Sequence, residues 1–317
     1  VDDGFYTLYE GEDRAIKARF PNLTVDEEYP NRFGSYLTTC DTDTTNTETI
    51  KYTVSDLDGI SFDDITDANI CIFAWNKCDW LKFTKAIGSI NTTTGVITPK
   101  DPYSGVPYGN ECRYYIEGMY ELLDQAGEFH YDSDEKILYY KPMNGGNPNE
   151  LDIYAPVTDT LVTVTDTENI VFEGISFEKT DFTRDIEIWT NHLNVSREPF
   201  KGAVTLTNAE NITFKNCRVK NTGLNGIFMT GYCKNNVITG CVLENIGGTA
   251  IVQFGDTEYL GEYMVGNVIQ NSIIHDVCEF VSEFLLAKAL HHFQLPSFGM
   301  PHSYRWHRTA NLPWTPA

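Results

Sequence analysis

The chain has 317 residues, 41% hydrophobic and 21% charged, so it can build a core and wholesale disorder is excluded. Its 45 acidic against 23 basic residues leave a formal charge of −22. Phosphate backbones and anionic leaflets repel such a surface, which argues against nucleic-acid and peripheral membrane roles. No apolar run approaches the roughly 18 residues of a membrane-spanning helix. The chain opens on Val1 without a basic-then-apolar leader, the pattern of a processed product or a fragment.

In chain order, residues 50–54 and 70–75 are predicted strands within Thr/Asp-rich loops. Residues 114–123 are predicted as a short helix ending near Gly127, and residues 128–140 as a hairpin, because apolar residues alternate on both sides of a polar turn. Residues 1–148 therefore read as a separate antiparallel β region.

From residue 149 a repeat sets in. Asn169-Ile-Val-Phe-Glu-Gly-Ile-Ser-Phe177 aligns over Asn211-Ile-Thr-Phe-Lys-Asn-Cys-Arg-Val219, then Asn235-Asn-Val-Ile-Thr-Gly-Cys-Val-Leu243 and Gly266-Asn-Val-Ile-Gln-Asn-Ser-Ile-Ile274, at offsets of 42, 24 and 31 residues. Apolar residues fall in two files, Phe172/Phe214/Ile238/Ile269 and Phe177/Val219/Leu243/Ile274. Parallel, in-register stacking produces such files, since each side chain lies over its counterpart one strand spacing away. The Gly174/Asn216/Gly240/Asn271 file marks a bend where positive φ is tolerated. A second strand set starts at Ala203, Gly226 and Ala250. Unequal offsets suit a coil with variable loops, so the fold predicted for residues 149–280 is an all-β, right-handed parallel β-helix. Residues 281–317 hold four of the seven histidines and a single acidic residue, Glu283. They read as a cap over the open end or an atypical tail.

The eight cysteines form no CxxC pair, so a structural zinc is not expected; Cys217 and Cys241 read as small buried hydrophobes. The even cysteine count and four N-x-[ST] sequons, at Asn22, Asn91, Asn194 and Asn211, point to an extracellular, secreted protein.

Three ordered segments carry a resemblance. Gly11-Glu-Asp-Arg14 leading to Ala18-Arg-Phe-Pro-Asn22, Leu123-Asp-Gln-Ala-Gly-Glu128 followed by Leu138-Tyr-Tyr-Lys-Pro142, and Ile170-Val-Phe-Glu-Gly-Ile-Ser-Phe-Glu178 are similar to segments of β-helix glycoside hydrolases. These are pectin-lyase-like enzymes of the xylosidase, fucosidase and galactosidase kind. The resemblance spans residues 6–277 and implies a β-sandwich-like N-terminal domain, a carbohydrate cleft along the coil flank, and cofactor-free hydrolysis of a polysaccharide or oligosaccharide by paired carboxylates. Ala126 and Phe129 stand where the family has Pro and Trp. The coils that usually carry the acid and nucleophile fall beyond Cys278, which implies a truncated, inactive member.

Glycoside hydrolysis needs two carboxylates flanking the scissile bond, one of them protonated. The loop from Gly255 to Glu262 interrupts the repeat and gathers Asp256, Glu258 and Glu262, the candidate catalytic residues, beside Tyr259 and Tyr263. A second loop, 181–199, adds Asp185, Glu187, His192 and Trp189; Trp189, Tyr259 and Tyr263 are the candidate sugar-binding residues. A polysaccharide lyase is disfavoured because no carboxylate cluster is expected at Lys201, Lys215, Arg218 or Lys220. His275-Asp276 reads as a surface turn. The alternative is a noncatalytic, glycan-binding or adhesive β-helix module.

Overall fold

The computed structural model describes residues 4–23, 36–74, 81–102, 107–181, 188–189, 201–254 and 264–277. Among them every regular element is a β-strand or a single 3-10 turn. The predicted hairpin forms from Glu128–Asp132 and Ile137–Tyr140, paired antiparallel with Phe129 opposite Tyr140. The predicted strands at 50–54 and 70–75 are Ile50–Lys51 and Asn69–Phe73. The predicted helix over 114–123 is not formed. Strand Asn110–Glu117 runs through its first half, and only Tyr120–Leu122 makes a 3-10 turn. The burial explains why: Cys112, Tyr114 and Ile116 alternate into the core with the two-residue period of a strand. Gly118, at φ +85°, then breaks it, where an added Cβ would meet the Asp67 carbonyl oxygen at 2.5 Å.

The N-terminal region holds a five-stranded and an eight-stranded sheet. Its pairing is antiparallel with one exception, Glu128–Asp132 beside Asp13–Lys17, which runs parallel. Each sheet has its own core, one around Ile70, Ile72, Phe83 and Tyr114, the other around Phe5, Leu8 and Phe129.

The repeat folds as a parallel β-helix with three four-stranded sheets, here numbered in chain order. The first contains Val162–Thr165, Gly202–Thr207, Asn225–Thr230 and Ile251–Phe254. The second contains Val171–Glu173, Thr213–Lys215, Val237–Thr239 and Val268–Gln270, and the third Ser176–Glu178, Arg218–Thr222, Val242–Ile246 and Ile273–Val277. The predicted files stack in register: Phe172, Phe214, Ile238 and Ile269 lie over one another, as do Phe177, Val219, Leu243 and Ile274. The Phe172 and Phe214 rings lie 4.9 Å apart and 9° from parallel. Burying Phe214, Val219, Ile238 and Leu243, the fully buried members, contributes about 1.5–3 kcal/mol each. Cys217 and Cys241 are buried thiols, as expected, and the six described cysteines are free.

Corners are made by left-handed residues. Gly174, Asn216, Gly240 and Asn271 all have positive φ, from 49° to 69°. The alternation of Gly and Asn follows from side-chain placement. Asn216 raises its Oδ1 into the space a Cβ on Gly240 would fill, Asn208 does the same to Gly231, and Asn235 to Gly266. An inner ladder adds to this: Asn236 accepts from the Ile212 N–H at 2.8 Å and donates to the Ala209 carbonyl at 3.0 Å, and Asn267 accepts from the Asn236 N–H at 3.0 Å. These bonds satisfy backbone groups that the turn would otherwise leave buried and unpaired.

The segments that carry the family resemblance perform structural work. Arg14 donates through Nη2 to the carbonyls of Thr222 (2.9 Å) and Asn245 (2.7 Å), spanning two successive coils. Tyr9 donates to the Asn221 carbonyl at 2.6 Å. The Arg19 guanidinium lies 3.7 Å above the centre of the Tyr115 ring, and Asn22 donates to Asp124 at 2.8 Å. Glu128 closes its own turn by accepting from the N–H groups of Asp124 and Gln125. Burial holds its carboxyl above the ordinary value in spite of those donors.

Candidate functional site

The three sheets share a backbone and differ in what they point outward. In the first sheet Val164, Val204, Leu206, Ile227, Met229 and Ile251 enter the core. Alternation then turns Thr163, Thr205, Phe228 and Val252 outward in one register row and Thr165, Thr207, Thr230 and Phe254 in the next. No strand of this sheet carries a charged residue, in a chain of net charge −22. Phe228 and Phe254 stack at 6.4 Å and 18°, with Phe228 buried and Phe254 half-buried. The Thr205 hydroxyl bonds the Gly202 carbonyl at 3.3 Å, whereas those of Thr165, Thr207 and Thr230 have no partner among the described residues. Aromatic surface beside free hydroxyls is what a sugar ring requires.

Both predicted loops adjoin this sheet, at opposite ends. Residues 182–200 lie between Asp181 and the strand that starts at Gly202, and residues 255–263 follow Phe254, where a strand of the same sheet ends. Asp256, Glu258, Tyr259, Glu262 and Tyr263 lie outside the described residues, as do Asp185, Glu187 and His192. Ile188–Trp189 is described as backbone only. It pairs antiparallel with Lys82 and Leu81 of the eight-stranded sheet, so Trp189 belongs to the N-terminal region's edge rather than to a coil. Asp181 anchors the start of its loop by accepting from the N–H of Thr7 at 2.8 Å and of Tyr6 at 2.9 Å.

The outward face of the third sheet is a charged ladder. Glu178, Lys220, Glu244 and His275 lie in register. Lys220 pairs with Glu12 and, at 3.3 Å, with Glu178; Lys179 pairs with Glu12 at 3.1 Å; Arg218 pairs with Glu244. Hydrogen bonds from Lys220 and Lys179 hold the Glu12 carboxyl below its ordinary value, and the bond to Glu12 raises Lys220. Burial pushes Glu178 upward, but hydrogen bonds from Ser176 and Lys220 outweigh it and leave the group lowered. His275 sits between Glu244, at 3.2 Å, and Asp276, at 2.8 Å; both His275 and Asp276, the latter at φ 47°, lie within the strand Ile273–Val277 rather than in the expected surface turn.

Lys201, Lys215, Arg218 and Lys220 are each engaged in ion pairs. Lys201 pairs with Asp159 at 3.5 Å and Lys215 with Glu173 at 2.7 Å, and the other two are paired as above. The signal was available in the repeat: the 42-residue offset maps Asp159 onto Lys201, Glu173 onto Lys215 and Glu178 onto Lys220. The outward Thr/Phe rows of the first sheet were also passed over. They occupy the third and fifth positions of the segments starting at Ala203, Gly226 and Ala250.

Comparison with known proteins now bears on this geometry. Residues 160–281, the coil itself, match the family described as alpha-1,3-glucanase catalytic domain D2. Over those residues the parallel β-helix is similar to a glycoside-hydrolase domain. The match supports that coarser reading without the xylosidase, fucosidase or galactosidase kind. A solved structure named "Glycoside hydrolase" superposes with a TM-score of 0.68 at 18% identity over 87% of this chain, which establishes the fold. The chain spans 55% of that relative's length. The catalytic domain of a GH87 alpha-1,3-glucanase aligns at 16% identity, both in complex with tetrasaccharides (TM-score 0.23) and with nigerose (TM-score 0.23), covering 86% of this chain and 65% of the other in each case; superpositions that poor carry no weight. No curated protein sequence matches the chain.

Proposed function

We propose that the β-helix binds a neutral glucan along the outward face of its first sheet, and that the protein hydrolyses glycosidic bonds of that glucan outside the cell. The uncharged Thr/Phe face is the observation that carries this reading. Its chemistry favours a neutral over an acidic polysaccharide, because the strands offer no Lys or Arg to a uronate and the net charge of −22 repels one. The family match over residues 160–281 supports an α-1,3-linked glucan. In the mechanism this implies, one carboxylic acid protonates the departing glycosidic oxygen. A second carboxylate either attacks the anomeric carbon or activates water, according to whether the pair stands about 5–5.5 Å or 6.5–9.5 Å apart. Asp256, Glu258 and Glu262 are the proposed source of the pair, next to the end of the first sheet.

The test is reducing-sugar release from α-1,3-glucan, with β-1,3-glucan and polygalacturonate as controls, for the wild type and for Asp256→Asn, Glu258→Gln and Glu262→Gln. Loss of a catalytic acid or base should lower turnover by roughly 10²–10⁴. Full turnover in all three variants would remove the loop from the mechanism. One observation favours a noncatalytic glycan-binding module instead. The described carboxylates near the first sheet already hold structural contacts: Asp159 with Lys201, Asp166 with Asn208 and Asp181 with Tyr6 and Thr7. Glucan binding without any turnover would decide for that module.

A further inference from the structure

The five-stranded sheet of the N-terminal region has two faces of opposite character. Phe129 packs in the small core, and Leu138 and Tyr140 pack against it. Alternation places His130, Ile137 and Tyr139 on the other face. There Tyr120, held by the 3-10 turn that buries Leu122, meets Tyr139 edge-to-face at 4.8 Å and His130 at 6.2 Å. The His130 and Tyr139 rings stack at 6.1 Å and 19°. Tyr120 is 55% exposed and Ile137 42%, while His130 is only 7% exposed.

Single exposed tyrosines need no explanation. This group differs because a buried, unsatisfied nitrogen lies among accessible aromatic rings. Nδ1 of His130 is buried without a hydrogen-bond partner, and the hydroxyls of Tyr120 and Tyr139 have none among the described residues. A buried polar atom left without a bond is costly, so the structure retains one rarely and usually for a reason. Burial also holds the His130 imidazole below its ordinary value, which keeps it neutral and able both to donate and to accept.

We propose that Tyr120, Tyr139 and His130 form a second carbohydrate-binding site, taking one or two pyranose rings of a neutral glycan on the N-terminal region, apart from the first-sheet face. The C–H face of a pyranose would lie on the tyrosine rings while its hydroxyls reach the phenolic oxygens and the imidazole. Two rings and three polar atoms match a short stretch of sugar better than a protein surface, which would need a far larger contact. The glycan class rests on the function proposed above.

Binding to insoluble α-1,3-glucan is measured by depletion for the wild type, Tyr120→Ala, Tyr139→Ala and Tyr120→Phe, beside Phe254→Ser on the first sheet. Tyr120→Ala and Tyr139→Ala are expected to weaken binding about tenfold with turnover of soluble oligosaccharides unchanged. Tyr120→Phe, which keeps the ring and the fold, is expected to lose less than threefold. Wild-type affinity in both alanine variants, alongside weakened binding by Phe254→Ser, would overturn the second site and leave the proposed function standing. A wild type that binds no glycan would overturn both.

Discussion

The first and third sheets of the β-helix are built from the same coils, with the same register and the same kind of inward file, yet their outward faces are opposites. The third carries Glu178, Lys220, Glu244 and His275 in one row, and Lys220 and the adjoining Lys179 are bound to Glu12, at the turn of the N-terminal hairpin formed by Leu8–Glu10 and Asp13–Lys17. The first carries threonines, Phe228, Val252 and Phe254, with no charge in any strand. Stacking fixes the backbone through the inward residues alone, so outward positions are free to serve either assembly or recognition. In this molecule the charged face joins the two regions of the chain, and the uncharged face is the one proposed to take a glycan.

The largest expected effects lie at the corners that end these sheets. Gly240 leads into the third sheet and Gly231 closes the first, and in each case an added Cβ would land on the amide oxygen of the asparagine in the coil before, at positive φ. Gly240→Ala and Gly231→Ala should each cost about 2–3 kcal/mol, combining left-handed strain of about 1–2 kcal/mol with displacement of an exposed asparagine side chain that at Asn208 accepts from the Tyr232 N–H. Gly174 has the same backbone with nothing within 4 Å of its added Cβ, so Gly174→Ala should cost only the strain, about 1–2 kcal/mol. Chemical denaturation of the three variants checks the order. Glucan affinity separates the two faces further: Gly231→Ala should weaken it, and Gly240→Ala should leave it intact.

The comparison also shows what could be read from the chain alone. The inward files were legible because Phe172, Phe214, Ile238 and Ile269 repeat against a buried interior that tolerates little else. The Gly/Asn corner was legible for the same reason, since the left-handed bend restricts residue choice. Residues 114–123 read as helical because Tyr114, Tyr115 and Ile116, the end of the strand Asn110–Glu117, form an unbroken apolar run, in which period two shows only once burial is known. Trp189 illustrates a limit of another kind. Its backbone pairing with Leu81 joins residues more than a hundred positions apart, and no local pattern records such a contact. The outward rows of the first sheet, such as Thr165/Thr207/Thr230/Phe254, were visible as letters, but threonine is common throughout this chain and an outward position is not restricted by core packing.

Smaller effects should divide cleanly between the faces. Lys220→Met removes the centre of the charged ladder, whose members are partly solvent-exposed. It should cost about 1 kcal/mol or less, diminish in high salt, and leave glucan affinity unchanged. Thr207→Val together with Thr230→Val should do the reverse, holding stability within about 0.5 kcal/mol while weakening glucan binding severalfold. A thermal melt and a binding isotherm on each protein are sufficient. Loss of glucan affinity in Lys220→Met would assign the charged face to recognition and reverse the division drawn above.

The gentlest way to separate the faces is pH. Glu12 is held below its ordinary value of 4.5 by its lysine partners, so its contribution is complete above that value and is lost as pH falls through its lowered folded-state value. Lys220 is raised from 10.5, so its contribution is complete below that value and is lost as pH rises through the raised one. The ion pairs between the N-terminal hairpin and the third sheet should therefore hold across neutral pH and loosen toward either extreme. The first sheet has no titrating side chain in its strands and should be indifferent to both. Hydrogen exchange of the amides of Asp13–Lys17 against those of Gly202–Thr207, corrected for intrinsic rates, compares them within one sample. Below pH 4.5 the hairpin amides should lose protection first. Equal loss in both segments would mean that the ion pairs contribute nothing to docking, and that Arg14, through its bonds to Thr222 and Asn245, holds the hairpin to the coil without them.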